Sequence, residues 1–201
     1  MNSRRGAGNC ALALVLAVLA GCASGAREPV RYFVLDVAVA PVAASQPLRR
    51  ETLLITPTTS ATFYDTQDIM VSRQPGVRTP YQFSHWTEPP SAAVHAALTD
   101  RIEASHLFRD VTTSSRRMPG TLALDTSIRE IYHDASSNPG TATIVLYAEL
   151  REPVKHELVA RRVFHAEAAA SSFDAPGAVA GLRAALTKLS IDLVDWLRSM
   201  P

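Results

Sequence analysis

The chain is short of cysteine, of net charge and of membrane-length apolar runs, and each shortage removes a class of protein. Two cysteines, Cys10 and Cys22, occur in 201 residues, too few for the disulfide framework that staples small secreted domains. Twenty Lys and Arg stand against nineteen Asp and Glu, a formal net charge of +1. With no basic excess to neutralise a phosphate backbone, the chain does not read as a nucleic-acid binder. Its apolar run from Cys10 to Ala20 falls well short of the roughly 20 residues a spanning helix needs. Nine Gly and thirteen Pro are near ordinary frequency, which argues against collagen-like and low-complexity structure. What is present, 47% hydrophobic and 19% charged residues, suits one globular domain rather than a disordered chain.

The first twenty-two residues read as a secretion signal ending in a lipid-attachment site. Arg4 and Arg5 supply the positive leader, Cys10–Ala20 the apolar core, and Leu19-Ala20-Gly21-Cys22 follows. The run has the length of a cleaved signal core. Leu-Ala-Gly-Cys resembles the lipobox of bacterial lipoproteins, in which the thiol takes a diacylglycerol and cleavage precedes the Cys. That resemblance implies a cleaved signal 1–21, a lipidated tether 22–30 beginning at Cys22, and a single domain 31–201. Two or more acyl chains anchor stably where one does not. Ala23 follows the Cys; without the Asp that retains enterobacterial lipoproteins at the inner membrane, the resemblance implies the outer membrane, periplasmic face. The tether from Ala23 to Val30 reaches at most roughly 28 Å. No cysteine then remains for a disulfide, and removal of Arg4 and Arg5 leaves the mature chain near neutrality.

Beyond the tether, Arg31–Ala40 is strand-like and closed by Pro41. Leu53–Ile55, Ile69–Arg73 and Tyr81–Trp86 are further short strands, with Gln74-Pro75-Gly76 as a turn. Ser91 is the expected N-cap of a helix over Ala92–Phe108, on which Arg101 interrupts the apolar stripe. Alternation at Leu122–Arg129, Ala142–Glu149 and Leu158–Ser171, with a turn at Asn138-Pro139-Gly140, predicts an antiparallel meander with one solvated face. Asp174 caps a closing helix with Pro176 in its first turn. Its stripe is Val179, Leu182, Leu186, Leu189, Leu193 and Leu197, opposite Lys188, Asp192 and Asp195. Those acids on the polar face favour packing on the sheet over a membrane-surface helix. The expected fold is α+β, a mostly antiparallel sheet with two helices packed on one face.

Catalytic patterns are missing. The six His residues lack metalloprotease spacing, no Gly-x-Ser-x-Gly elbow occurs, and Gly76, Gly120 and Gly140 are isolated rather than grouped in a phosphate loop. Glu149 and Glu152 sit among Arg151 and Lys155 as a solvated face, and His133-Asp134 reads as a solvated loop. No enzymatic activity, cofactor or metal is expected. The most distinctive feature after the signal is Tyr81, Phe83 and Trp86 next to Pro89-Pro90. It reads either as core packing of a strand-to-helix corner or as a contact surface, where Trp and Tyr are favoured anchors.

Tyr32-Phe33-Val34-Leu35-Asp36 soon after a lipobox, and an aromatic strand from Tyr81 into Trp86-Thr87-Glu88-Pro89-Pro90 and a helix, together resemble the ABC-type transport auxiliary lipoproteins, the family of paraquat-inducible protein C. The resemblance covers essentially the whole mature chain. It implies a non-catalytic subunit of an Mce-type ABC system that moves lipids across the envelope. Its partners would be a periplasmic MCE-domain protein and, through it, an ABC permease and ATPase. A ring-shaped homo-oligomer would suit docking on a symmetric MCE assembly, and Tyr81, Trp86, Pro89 and Pro90 would form the partner surface. Two readings compete: a stand-alone lipid-carrying lipoprotein with an apolar cavity, and an envelope hydrolase, which the missing nucleophile and metal patterns disfavour.

Overall fold

Nine β-strands and two α-helices are formed by the residues that the computed structural model describes, 28–38, 48–113 and 121–200. In chain order they are β1 (Arg31–Phe33), β2 (Arg49–Ile55), β3 (Thr59–Ser60), β4 (Asp68–Ser72), β5 (Thr79–Trp86), α1 (Pro90–Ala104), β6 (Phe108–Thr112), β7 (Thr121–Asp134), β8 (Thr141–Glu152), β9 (Glu157–Ala169) and α2 (Ala175–Arg198). The chain divides after Val30, and the fold is that of the unit Arg31–Pro201. The expected signal and the attachment site Cys22 lie outside the described residues.

Strand β7 is the axis of the sheet. One edge pairs antiparallel with β8, which pairs antiparallel with β9. This is the meander that the alternation predicts. The other edge of β7 is shared in series by three short parallel strands: β2 beside Thr121–Leu124, β3 beside Ser127–Ile128 and β4 beside His133–Asp134. Strand β6 lies parallel on the far side of β2. Strand β5 lies antiparallel to β4, and β1 parallel to β5. Five of the eight strand pairings are parallel. The sheet is therefore mixed and mostly parallel by pairing, which corrects the expected mostly antiparallel sheet. Alternation reports which face of a strand is buried; it carries no information about the direction of the neighbour along its edge.

The core lies between this sheet and α2. On β8, Ala142, Ile144, Leu146, Ala148 and Leu150 are fully buried, one face of a period-two strand. All six aliphatics of the α2 stripe are buried, and the helix packs on β8, β9 and α1. The stripe is thus core rather than a membrane-facing surface. Asp174 caps α2 as expected, accepting from the Gly177 amide at 2.9 Å. Trp196 meets Phe164 of β9 edge-on, with centroids 5.7 Å apart. Gly181 brings the backbones close, since a Cβ there would lie 2.8 Å from the Ala142 methyl.

Helix α1 differs from expectation at both ends. It starts at Pro90 after Pro89, with no side-chain cap; the Ser91 hydroxyl donates instead to Asp65 Oδ1 at 2.7 Å. It stops at Ala104, and His106 takes a φ of 48°, a left-handed turn that ends the helix. Phe108, expected on the helix, opens β6. Strand β1 is also shorter than its apolar run: after Phe33 the chain leaves the ladder. Arg183 of α2 donates to the Val34 carbonyl from Nε and Nη2, at 3.1 and 2.7 Å, and pairs with Asp36 at 2.8 Å. Leu35 remains buried there.

Candidate partner surface

Strand β5 and the first turn of α1 form the corner that carries the four expected contact residues. Trp86 is 2% exposed and sits in the core cluster with Val94, Leu98 and Leu35. Its amide donates to the Gln67 carbonyl at 2.6 Å, and the next amide, Thr87, to that of Phe33 at 2.9 Å. The Trp thus welds β1 and β5 to the segment before β4. Pro90 is buried; Pro89 and Tyr81 are half-buried. Of the four residues, Tyr81 and Pro89 keep part of their surface outward, while Trp86 and Pro90 pack the corner. Next to Trp86, His85 pairs with Asp68 at 3.2 Å and lies against the exposed Tyr32 ring, centroids 5.8 Å apart.

Tyr81 is held by a residue that sequence reasoning placed in solvent. His133 is fully buried near the end of β7. Its Nε2 lies 2.9 Å from the Pro139 carbonyl, and its Nδ1 2.7 Å from the Tyr81 hydroxyl. A carbonyl only accepts, so Nε2 carries the hydrogen; in the neutral ring Nδ1 then accepts from Tyr81. Burial pushes the Tyr81 hydroxyl up to about 12. Burial likewise holds the His133 pKa below its ordinary value, against the opposing Pro139 hydrogen bond and the Asp134 charge. Tyr81 stacks on His133, and Phe173 meets the same ring edge-on. A bulge between Ile128 and Glu130 shifts the phase of β7, so Ile131 and His133 turn inward where unbroken alternation points them outward. Only a bulge signal could have found this residue.

The open face of β7 and β8 carries a polar cleft of about 400 Å³ lined by Thr56, Thr59, Asp125, Tyr147, Glu149 and Arg151 among others. Arg151 engages Asp125 through Nε at 2.7 Å and also through Nη2. It approaches Glu149 at 3.4 Å, and Glu149 accepts from the Tyr147 hydroxyl at 2.7 Å. Both carboxylates are therefore committed to partners. Lys155 pairs with Glu152 at 3.0 Å on the exposed hairpin; such surface pairs contribute about 0–1 kcal/mol. A second cleft of about 450 Å³ lies between Leu48–Glu51 and Leu107, Arg198 and Met200. There Arg49 donates to the Met200 carbonyl at 2.7 Å, and Arg198 pairs with Asp195 at 2.5 Å. Among the described residues no group of three His, Cys, Asp or Glu could hold a metal ion, and no helix is long and apolar enough to cross a membrane.

A family model described as "ABC-type transport auxiliary lipoprotein component" matches residues 33–194. The crystal structure of protein XCC0632 from Xanthomonas campestris, a DUF330-family protein, is similar at TM-score 0.73 and 26% identity. The match covers 84% of this chain and 95% of that one. An uncharacterized protein of known structure matches at TM-score 0.68 and 13% identity, covering 85% of this chain and 99% of that one, a likeness of fold. Among curated proteins none matches the chain in sequence.

Proposed function

The chain belongs to the family of ABC-type transport auxiliary lipoprotein components, and on that premise we propose that it is the non-catalytic, lipid-anchored subunit of an Mce-type lipid transport system. The signal 1–21 is removed, Cys22 takes the acyl anchor, and Ala23 directs the protein to the periplasmic face of the outer membrane. The domain docks the periplasmic MCE assembly, which connects to a permease and ATPase in the inner membrane. ATP is hydrolysed there, and this chain contributes position rather than chemistry. Tyr81 and Pro89, the outward residues of the β5–α1 corner, are its contact to the MCE protein. A ring of copies matches a symmetric MCE assembly.

The observation that carries this reading is the conjunction of Leu19-Ala20-Gly21-Cys22 with a family match beginning at residue 33 and ending at 194. The polar cleft and the buried histidine also favour it. The cleft carboxylates Asp125 and Glu149 are both engaged by Arg151, and His133 is locked between Tyr81 and Pro139. A stand-alone carrier needs an apolar cavity, whereas the apolar faces of β8 and α2 are packed on each other. Affinity purification of the tagged protein from gently crosslinked membranes tests the proposal. Recovery of an MCE-domain protein supports the subunit; recovery of the protein alone with bound phospholipid moves the function to the carrier.

A further inference from the structure

Three connections meet at one end of the sheet. The β4–β5 turn, the β7–β8 turn and the link from β9 to α2 lie there together, because Ser72, Asp134, Thr141 and Ala169 are successive partners across β4, β7, β8 and β9. Backbone hydrogen bonds stitch them: the Ala135 amide donates to the Ser72 carbonyl at 2.7 Å, and the Ala170 amide to that of Gly140 at 3.0 Å. Strand β1 runs parallel to β5, so the chain enters the fold from the side on which β5 begins, which is this end. The Arg31 charge is felt there by Asp174, whose carboxyl the Ser172 hydroxyl and the Gly177 amide already hold below its ordinary value.

The tips of these connections are uncharged. Gln74-Pro75-Gly76-Val77, Ala135 to Gly140 and Ala170 to Phe173 hold no Asp, Glu, Lys or Arg except at Asp134 and Asp174, which flank them. Val77 and Phe173 are 46% and 45% exposed, and Phe173 is steadied edge-on against the His133 ring. Behind the tips stand Arg31 and Arg73, lying over the rings of Phe33 and Tyr81. Both are exposed, and neither has an ion-pair partner among the described residues. The two acids, by contrast, accept from the Ser136 and Gly177 amides. The β8–β9 hairpin at the opposite end surrounds its own exposed Val154 with Glu152, Lys155 and Glu157. Single exposed apolar residues are ordinary on a protein surface. Uncharged apolar tips backed by arginines are the arrangement of an interfacial contact, in which apolar groups enter the headgroup region and cations stay at the phosphates.

We propose that this end of the domain docks on the lipid surface, with Val77 and Phe173 entering the headgroup region and Arg31 and Arg73 set on lipid phosphates. The occupant is a phospholipid leaflet because of where the chain outside the fold ends. A tether that begins at Cys22 and reaches at most roughly 28 Å joins the fold at Arg31. The 14 residues of β7 alone run about 45 Å, so this end lies nearer the bilayer than the β8–β9 hairpin does. The inference rests on the lipid anchor at Cys22 and adds to it the face that the domain turns to the membrane. A ring whose axis stands normal to the membrane presents this end from every copy at once.

The mature chain carries no cysteine besides Cys22, so an environment-sensitive thiol label can be placed at Val77→Cys, at Phe173→Cys or, as the control, at Val154→Cys. The lipidated protein is reconstituted into vesicles of phosphatidylethanolamine and phosphatidylglycerol, and quenching by aqueous iodide is compared with quenching by nitroxide-labelled lipids. Side chains about 5–10 Å into the interface should be shielded from iodide at least about threefold relative to Val154→Cys, and quenched by the nitroxide lipids. Flotation of the same vesicles separates the surface from the anchor. A protein that does not float has no anchor, and both readings fall. A protein that floats while its labels at 77 and 173 stay as open to iodide as the label at 154 keeps its anchor and overturns the docking surface.

Discussion

Replacing Gly181 by alanine should destabilise this domain, although in an exposed helix the same change stabilises by roughly 0.5–1 kcal/mol. The reason is the closeness of α2 to the sheet at that point. An added Cβ would lie 2.8 Å from the Ala142 methyl, 3.1 Å from the Ala169 carbonyl oxygen and 3.3 Å from the Ala170 Cα. None of these is the end of a flexible side chain, so relief requires α2 to move away from β8 and β9. Overpacking of this kind costs about 1–3 kcal/mol. After the gain in helix propensity, a net loss of about 0–2.5 kcal/mol remains, centred near 1. At about 2–4 °C per kcal/mol for a domain of this size, Tm should fall by up to roughly 10 °C in a thermal unfolding scan followed by circular dichroism. The sign is the test. A Tm above that of the wild type would show that the seam has slack and that the packing described for α2 is wrong.

Four further substitutions have expected outcomes. Leu186→Ala removes a fully buried side chain from the α2 stripe and should cost about 2–5 kcal/mol in denaturant unfolding, whereas Lys188→Ala on the exposed face should be near neutral. Asp174→Ala deletes the α2 cap to the Gly177 amide and should cost about 1 kcal/mol, with Asp174→Asn retaining most of it. His133 has a folded-state pKa below its unfolded one. Its contribution to stability is therefore complete above the ordinary His value of about 6.5 and is lost as pH falls below it, because the unfolded chain takes up a proton the native ring refuses. Tm measured between pH 7.5 and 5 should decline, and less steeply in His133→Gln; equal slopes would contradict the buried neutral ring. Cys22→Ser should move the protein from the membrane fraction to the soluble periplasm, and full retention on membranes at high salt would defeat the lipid-anchor reading.

Much of the fold is legible in the sequence wherever one face of an element is buried continuously. The α2 stripe and the β7–β9 meander come directly from periods of 3.6 and 2, because burial alone sets them, and the Asp174 cap from a short acceptor side chain placed just before the helix. Three features escape that logic. Direction of pairing is set by what lies along an edge, so β2 and β4 read as strands while their parallel docking on β7 does not, and the two-residue β3 is too short to read at all. The boundary between α1 and β6 is hidden because Phe108 extends the apolar spacing of the helix, and the break comes from the left-handed His106. His133 is hidden by the bulge in β7, which inverts inside and outside for the residues after it. At the candidate surface, the sequence supplies the residues but not their exposure. Trp86 and Pro90 are spaced like contact residues and serve the corner, while Tyr81 is fixed by a buried histidine some 52 positions away in the chain.

The β5–α1 corner has a structural task in this fold. Trp86 joins β1, the strand nearest the tether, to the strand leading into α1.

The central claim is that this lipoprotein holds an MCE assembly against the outer membrane. Its most direct test is density-gradient fractionation of envelopes, following the MCE-domain protein in wild-type cells and in cells carrying Cys22→Ser. The account predicts that the fraction of MCE protein sedimenting with outer membrane disappears in the variant while its inner-membrane fraction persists. An MCE distribution identical in both strains would contradict it.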